Sequence, residues 1–315
     1  MSERTKIIIV IVFILGLPFF WWRGIGEVFS YFQSSSTYLK TEVVQEPLPL
    51  RNAQIADLQI NSQAALSLLL DDHDRKTVLF NSNQGIQLPI ASLTKLMTAL
   101  IVIENYDLQQ EVKISLEAVS QEGDFGQLEI NRVYPVEYLL YPLLMESSND
   151  AAYALVHDYA GMDLETFLGL MNERAQSLRM SGTYFLNPTG LEPQEDKRTT
   201  GLNRSTAADL AKLTVELLKK PLIWQILSLP QYNVFGPELR NTNILLSDET
   251  INWRSEIVGA KTGYTLQAGG CILLVMKAPN NRGHLINVIL GTENNDERFN
   301  QMKKMVEWLK TAYLW

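Results

Sequence analysis

The stretch from Leu88 to Ile103, LPIASLTKLMTALIVI, carries apolar residues at Ile90, Leu93, Leu96, Met97, Leu100 and Ile101, spaced three and four apart. That period predicts a helix packed deep in a core. Two polar residues, Ser92 and Lys95, stand one turn apart on it. Residues at i and i+3 share a helix face with Cβ atoms about 5–6 Å apart, so the amine reaches the hydroxyl as a base reaches its nucleophile. A lysine acts as a base only when neutral. From a reference pKa near 10.4, neutrality at pH 7 costs roughly 4–5 kcal/mol at about 1.36 kcal/mol per unit. Burial, or a second cation nearby, lowers that cost. The apolar flanks supply the burial, and a cation has to come from elsewhere. Ser-x-x-Lys by itself is a weak signal, since average composition produces it about once by chance in a chain of this length.

The rest of the pattern predicts an α+β fold. Residues Ala64–Leu70 and Thr77–Phe80 read as antiparallel strands joined by the polar turn Asp71–Lys76. Helical periodicity dominates from Val136 to about Leu178, with Pro135 near a helix start and Gly161 ending one stretch. Ser205–Leu218 reads as another helix, with Ser205 or Thr206 as its cap. After Ile257, the apolar strands Cys271–Met276 and Leu285–Leu290 precede a terminal amphipathic helix from about Asp296 to Tyr313. Strands at both ends with helices between imply one antiparallel sheet assembled from distant segments.

The chain opens Met-Ser-Glu-Arg-Thr-Lys and then runs from Ile7 to Trp22 without a charge. A spanning helix needs about 17–25 apolar residues, and extension through Ile25, Val28 and Phe29 reaches that length. Phe19, Phe20, Trp21 and Trp22 resemble an interfacial aromatic belt. No Ala-x-Ala site follows, so an uncleaved signal anchor over residues 7–32 is expected in preference to a cleavable signal peptide. Arg4 and Lys6 place residues 1–6 in the cytoplasm, although Arg23 weakens the charge asymmetry. Either reading exports the remainder, so the expected location is the cell membrane with the folded part outside the cytoplasm. Residues 33–60, with Pro47 and Pro49, read as a linker or as an arm packed on the domain. A single domain with a sizeable core is expected over 61–315.

A net charge of -8 without any Lys/Arg cluster points away from nucleic acid. The one cysteine, Cys271, excludes an internal disulfide and reads as a quiet buried strand residue. His73, His157 and His284 show no metal-ligand spacing and read as turn or surface residues. A Gly-x-Ser-x-Gly elbow, a phosphate loop and a dinucleotide fingerprint are all missing from the sequence, so no metal or cofactor is implied.

Two further motifs change the weight of the Ser-x-x-Lys pair. Ser147-Ser148-Asn149 lies inside LLMESSNDAAYALV, and Lys261-Thr262-Gly263 inside EIVGAKTGYTLQAGGCILLVM. In that order the three motifs resemble the signature of the penicillin-recognising acyltransferases. The flanks PIASLTKLMTA, SSNDAAYAL, FLNPTGL, STAADLAKL and GAKTGYT resemble, more narrowly, the low-molecular-mass D-alanyl-D-alanine carboxypeptidases, over about Ala64 to Leu309. The resemblance implies a β-lactamase/transpeptidase-like catalytic domain, with a five-stranded antiparallel sheet flanked by helices and the active site between the sheet and an all-helical part. It implies that Ser92 attacks the penultimate D-Ala of a peptidoglycan stem peptide, that the terminal D-Ala leaves and that water releases the acyl-enzyme. β-Lactam antibiotics would acylate the same serine. Lys95 would be the base, Ser147 a proton relay to the leaving amine, and Asn149 a partner for the substrate amide. Lys261 would be the second cation, and Lys261 with Thr262 would engage the terminal carboxylate. Gly263 would let the substrate backbone approach, and the backbone N–H groups of Ser92 and Tyr264 would form the oxyanion hole.

Plainer readings stand beside these. Ser147 or Asn149 as a mere helix cap is one, and Lys261 as an edge-strand lysine that discourages aggregation is another. Three functional rivals also stand. A class A serine β-lactamase adds a Glu with an Asn four residues on; Glu192-Pro193 invites the comparison, but Asp196 occupies the Asn position and Asn-Pro-Thr-Gly-Leu at 187–191 suits the carboxypeptidases better. A membrane-tethered β-lactam sensor would need a partner, because the cytoplasmic part is only a few residues. A D,D-endopeptidase that cuts cross-links would use the same residues.

Overall fold

The computed structural model describes residues 48–123, 126–192, 201–234, 236 and 238–315. Contacts divide the chain into Met1–Leu48 and Pro49–Trp315. The expected cytoplasmic segment 1–6, the signal anchor 7–32 and the linker as far as residue 47 lie outside the described residues. No helix among the described residues is long and apolar enough to cross a membrane.

Strand β1 (Ala64–Leu70) turns into β2 (Lys76–Ser82) through Asp71, whose Oδ1 accepts the N–H groups of His73 and Arg75 at 2.9 Å each. Three more strands come from the far end of the chain: β3 (Ile257–Thr265), β4 (Gly269–Lys277) and β5 (His284–Thr292). The spatial order is β3-β4-β5-β1-β2, antiparallel throughout. Along β4, Cys271, Leu273 and Val275 enter one core while Ile272, Leu274 and Met276 enter the other. Successive strand residues point to opposite faces, so a strand covered on both sides reads as an unbroken apolar run.

Between β2 and β3 lie helices α1 (Thr94–Asn105), α2 (Val136–Tyr141), α3 (Asn149–Tyr153), α4 (Leu164–Ser177), α5 (Ala207–Leu217) and α6 (Pro221–Leu227). Helix α7 (Glu297–Ala312) follows β5 and covers one sheet face through Phe299, Met302, Met305, Val306 and Leu309. The other face meets α1 and α5 in the larger core. Helix α1 is buried on all sides from Thr94 to Val102, as an all-round apolar helix must be.

The expected helix over 88–103 begins later than its periodicity suggests. Leu88–Pro89 pairs with Arg204–Ser205 as a short ribbon, and Ala91–Leu93 forms a single 3-10 turn before α1. Ala91 has φ +46°, a left-handed value that no α-helix accommodates. The helical stretch read from Val136 to Leu178 breaks at Gly161, as expected, and also at Ser147, which takes φ +64°. Thr206 caps α5, its Oγ1 accepting the Asp209 N–H at 3.0 Å, while Ser205 is taken up by the ribbon. For residues 50–60, where the sequence leaves linker and packed arm both open, the structure shows the arm packed on the domain. Leu50–Arg51 pairs with Tyr313–Leu314, Leu58 is buried, and Trp308 Nε1 donates to Ala56 O at 2.8 Å.

Candidate active site

The strained turn at Ala91–Leu93 delivers Ser92 to the mouth of a cleft, half-buried, while Lys95 in the first turn of α1 is fully buried beneath it. The spacing of three survives the change from α to 3-10 geometry. Lys95 Nζ lies 3.0 Å from Ser92 Oγ, 2.7 Å from Asn149 Oδ1 and 2.7 Å from Thr189 O. Burial lowers the Lys95 pKa to about 7, because a desolvated ammonium is the costlier form.

The second motif enters from the opposite side. The turn Pro142–Glu146 ends at Ser147, which takes φ +64°, and α3 starts after Ser148. Ser148 is the cap, its Oγ accepting the Ala151 N–H at 3.1 Å, so neither Ser147 nor Asn149 is held there by a capping role. Ser147 Oγ is buried without a hydrogen-bond partner among the described residues. A buried hydroxyl left unpaired costs about 1–3 kcal/mol, a cost a bound substrate or water would relieve. Asn149 Nδ2 donates to Glu122 O at 2.6 Å, which turns its Oδ1 toward Lys95.

The third motif lies on β3, an edge strand that runs beside the Ser92 turn. Lys261 is nonetheless 1% exposed, so it does not serve as a solvated edge lysine. Its Nζ donates to Thr262 O at 2.9 Å. Burial lowers its pKa well below the usual range, and the charges of Lys95 and Arg298 lower it further. Burial is the first cause for both amines, and the Coulombic interaction between Lys261 and Lys95 disfavours their carrying charge together. Thr262 Oγ1 shares a 2.7 Å hydrogen bond with Thr242 Oγ1. A Cβ on Gly263 would sit 2.9 Å from Ser92 N and 3.1 Å from Ala91 Cβ, so only glycine brings the strand this close to the nucleophile. Ser92, Ser147, Asn149, Thr262, Gly263 and Tyr264 all line one cleft of about 460 Å³, with Lys95 and Lys261 buried beneath its wall.

Sequence reasoning missed two residues of this cleft. Glu146 is buried and accepts the Gly126 N–H through Oε2 and the Arg240 N–H through Oε1, at 2.8 Å each, tying together segments from both sides. An acidic residue inside the apolar run LLME was its only signal. Arg298 on α7 donates to Gly263 O at 2.9 Å, and burial brings its pKa to about 10. Nothing in an amphipathic helix marks one arginine as buried. Glu192, which prompted the β-lactamase comparison, accepts the Gln267 N–H at 2.8 Å, and position 196 lies outside the described residues. Among the described residues no group of three or more His, Cys, Asp or Glu is gathered as a metal site.

Similar proteins carry this geometry further. A D-alanyl-D-alanine endopeptidase of Pseudomonas aeruginosa is 32% identical over 257 residues, covering 79% of this chain and 78% of its own. D-alanyl-D-alanine carboxypeptidase DacF of Bacillus subtilis is 31% identical over 256 residues, covering 79% of this chain and 63% of its own. Penicillin-binding protein D2 of Listeria monocytogenes, solved in a cefotaxime-bound form, matches with a TM-score of 0.65 at 27% identity, over 80% of this chain and 98% of that one. Residues 52–294 match peptidase family S11, described as D-alanyl-D-alanine carboxypeptidase, and with Ser92, Ser147 and Lys261 gathered at one cleft the chain belongs to that family.

Proposed function

We propose that this protein is a serine-type D-Ala-D-Ala carboxypeptidase that removes the terminal D-Ala from peptidoglycan stem peptides. The observation that carries the reading is the 3.0 Å contact between Ser92 Oγ and a fully buried Lys95 amine whose pKa is about 7. At neutral pH a large share of that amine holds a free lone pair. Ser92 Oγ bonds to the carbonyl carbon of the penultimate D-Ala as Lys95 takes its proton. The carbonyl oxygen becomes an oxyanion, received by the backbone N–H groups of Ser92 and Tyr264. The C–N bond then breaks, and the proton passes from Lys95 through the Ser147 hydroxyl to the departing nitrogen. Water attacks the resulting ester, its proton goes to Lys95, and Ser92 is released on regaining a proton. Asn149 holds the substrate amide. Thr262 and Lys261 take the terminal carboxylate, with Arg298 lining the same cleft, and Gly263 leaves room for the substrate backbone. A β-lactam acylates Ser92 by the same route, its opened ring taking the place of the leaving amine.

The test is the full chain with a stem peptide ending in D-Ala-D-Ala, following D-Ala release and the mass of the acyl-enzyme. Turnover that disappears in Ser92→Ala and Lys95→Ala is expected, and a Ser92→Ala protein that still releases D-Ala ends the proposal. A D,D-endopeptidase is the second reading, favoured by the near-equal coverage shared with the Pseudomonas relative. Cleavage of a cross-linked stem dimer faster than of the monomer would put it first. Fast turnover of a chromogenic cephalosporin would support the β-lactamase instead. The uncharged run Ile7–Trp22 supports residues 7–32 as a membrane anchor, with the catalytic part outside the cytoplasm. Release of the protein from membranes by alkaline carbonate would contradict it.

A further inference from the structure

The stretch Asn187–Gly190 forms a turn to which the reaction scheme assigns no task. Asn187 Oδ1 accepts from Thr189 N at 3.2 Å, Thr189 Oγ1 at 3.0 Å and Gly190 N at 2.7 Å. The turn is pinned to α1 at three points along the helix. Asn203, buried, accepts the N–H groups of Leu186 and Asn187 at 2.7 and 3.2 Å, and donates to Asn187 O at 2.8 Å and Thr94 Oγ1 at 3.0 Å. Thr98 Oγ1 donates to Pro188 O at 2.7 Å. Between these two anchors Lys95 Nζ donates to Thr189 O at 2.7 Å. Gly190 completes the fit: at φ +82° it lies so close to the Ser92 turn that a Cβ would stand 2.0 Å from Ala91 O.

The number of protons on the amine gives this arrangement a consequence. An ammonium has three N–H donors and no lone pair; a neutral amine has two donors and one lone pair. Lys95 Nζ has three partners, and two of them can only accept. Thr189 offers a backbone carbonyl, and Asn149 offers its Oδ1 because Nδ2 is committed to Glu122 O. Ser92 alone can give a proton. In the neutral amine both N–H bonds therefore go to Thr189 and Asn149, and the lone pair is left facing the Ser92 hydroxyl.

We infer that the Asn187–Gly190 turn, anchored by Asn203, is the positioning element that aims the Lys95 lone pair at Ser92 through the Thr189 carbonyl. The inference rests on Lys95 being the base, as proposed above. The charged groups around the amine are Lys261 on β3 and, acting on Lys261, Arg298 of α7. Glu146 in the same cleft commits its oxygens to backbone N–H groups.

The test is the rate of acylation of the full chain by benzylpenicillin, from about pH 5 to about pH 9, for the wild type, Asn187→Ala, Asn187→Asp and Lys95→Ala. Asn187→Ala removes the acceptor that folds the turn while leaving the apolar surroundings of Lys95 in place. Two changes are expected together: a plateau rate about ten-fold lower or worse, and an acid limb moved to lower pH, because the buried ammonium has lost a stabilising acceptor. A general loosening that admits water to Lys95 moves the limb the opposite way, toward the ordinary lysine range. A slower rate with that opposite shift overturns the inference, and so does an unchanged plateau. Asn187→Asp keeps the acceptor oxygen and gives up the Nδ2 bond to Leu191 O, 3.1 Å long. Its plateau is expected within about three-fold of wild type; a fall as deep as that expected for alanine overturns the inference even if Asn187→Ala does not fold. Lys95→Ala separates the two levels. Acylation there at the wild-type rate removes the base itself, whereas loss of acylation there beside an indifferent Asn187→Ala removes only the role of the turn.

Discussion

The reactivity of Ser92 depends on an amine that folding has made unhappy as a cation. Lys95 ionises near pH 7 in the folded protein and near 10.5 when exposed. Between those values the unfolded chain binds a proton that the folded chain does not, so stability rises with pH across this window and the penalty is full below it. At about 1.36 kcal/mol per unit the penalty reaches up to about 5 kcal/mol. Lys95→Met is therefore expected to be inactive yet more stable than wild type near pH 6 in urea unfolding, with the gap closing toward pH 10. A gap independent of pH would mean that the amine is not neutralised by burial. Acylation of the wild type should correspondingly rise through about pH 7. Ser92 and Lys95 were legible in the sequence because a spacing of three brings side chains together in either helix type. Glu146, Arg298 and Asn203 were not, because each acts on backbone from segments far away in sequence, such as Arg240, Gly263 and Leu186.

Among the elements, the strands were the most legible, because β4 and β5 are apolar on both faces and their runs end at turns. The start of α1 was not. Ala91 is left-handed without being glycine or asparagine, so nothing in the residue announces the turn; it is imposed by the close packing of β3 and the Asn187–Gly190 turn around it. That packing makes Gly263→Ala a sharp probe. The new methyl would meet Ser92 N at 2.9 Å, and an overpacked contact of this kind costs about 1–3 kcal/mol. A shift of a few tenths of an ångström in Ser92 is the cheapest relief, so kcat/KM for D-Ala release should fall about ten- to a hundred-fold, with only a modest drop in melting temperature. An unchanged kcat/KM would show that the strand, and not the nucleophile, gives way. Glu146→Gln probes the cleft from the other side. Glutamine has one acceptor oxygen where glutamate has two, so one of the two backbone N–H groups is left facing an NH2, at a cost of about 1–3 kcal/mol. The two walls then loosen, and KM for the stem peptide is expected to rise more than kcat falls. A stability loss without a change in KM would assign Glu146 to folding alone.

In the unit Pro49–Trp315, the segments nearest its two ends complete one another. The first strands pair with the last, and the arm before β1 closes over α7: Arg51 sits 5.0 Å over the Trp308 ring, Trp308 Nε1 donates to Ala56 O, and Asn61 N donates to Gln301 Oε1 at 2.9 Å. Helix α7 in turn carries Arg298 to the cleft, so the arm supports the site from behind. The sequence leaves linker and packed arm both open for residues 50–60, because a short stretch has the same composition whether it is tethered or docked. A chain that begins at Asn61 should therefore be measurably weaker than one that begins at Pro49. Loss of Leu58 alone forfeits about 1.5–3 kcal/mol of apolar burial, and in a unit of this size each kcal/mol moves the melting temperature by about 2–4 °C. The shorter chain is expected to melt about 5 °C lower or more, and its acylation by benzylpenicillin should slow as α7 loosens beside Gly263. Equal melting temperatures would reduce the arm to a passive passenger; a lower melting temperature with an unaltered acylation rate would keep its stabilising role but cut its connection to Arg298.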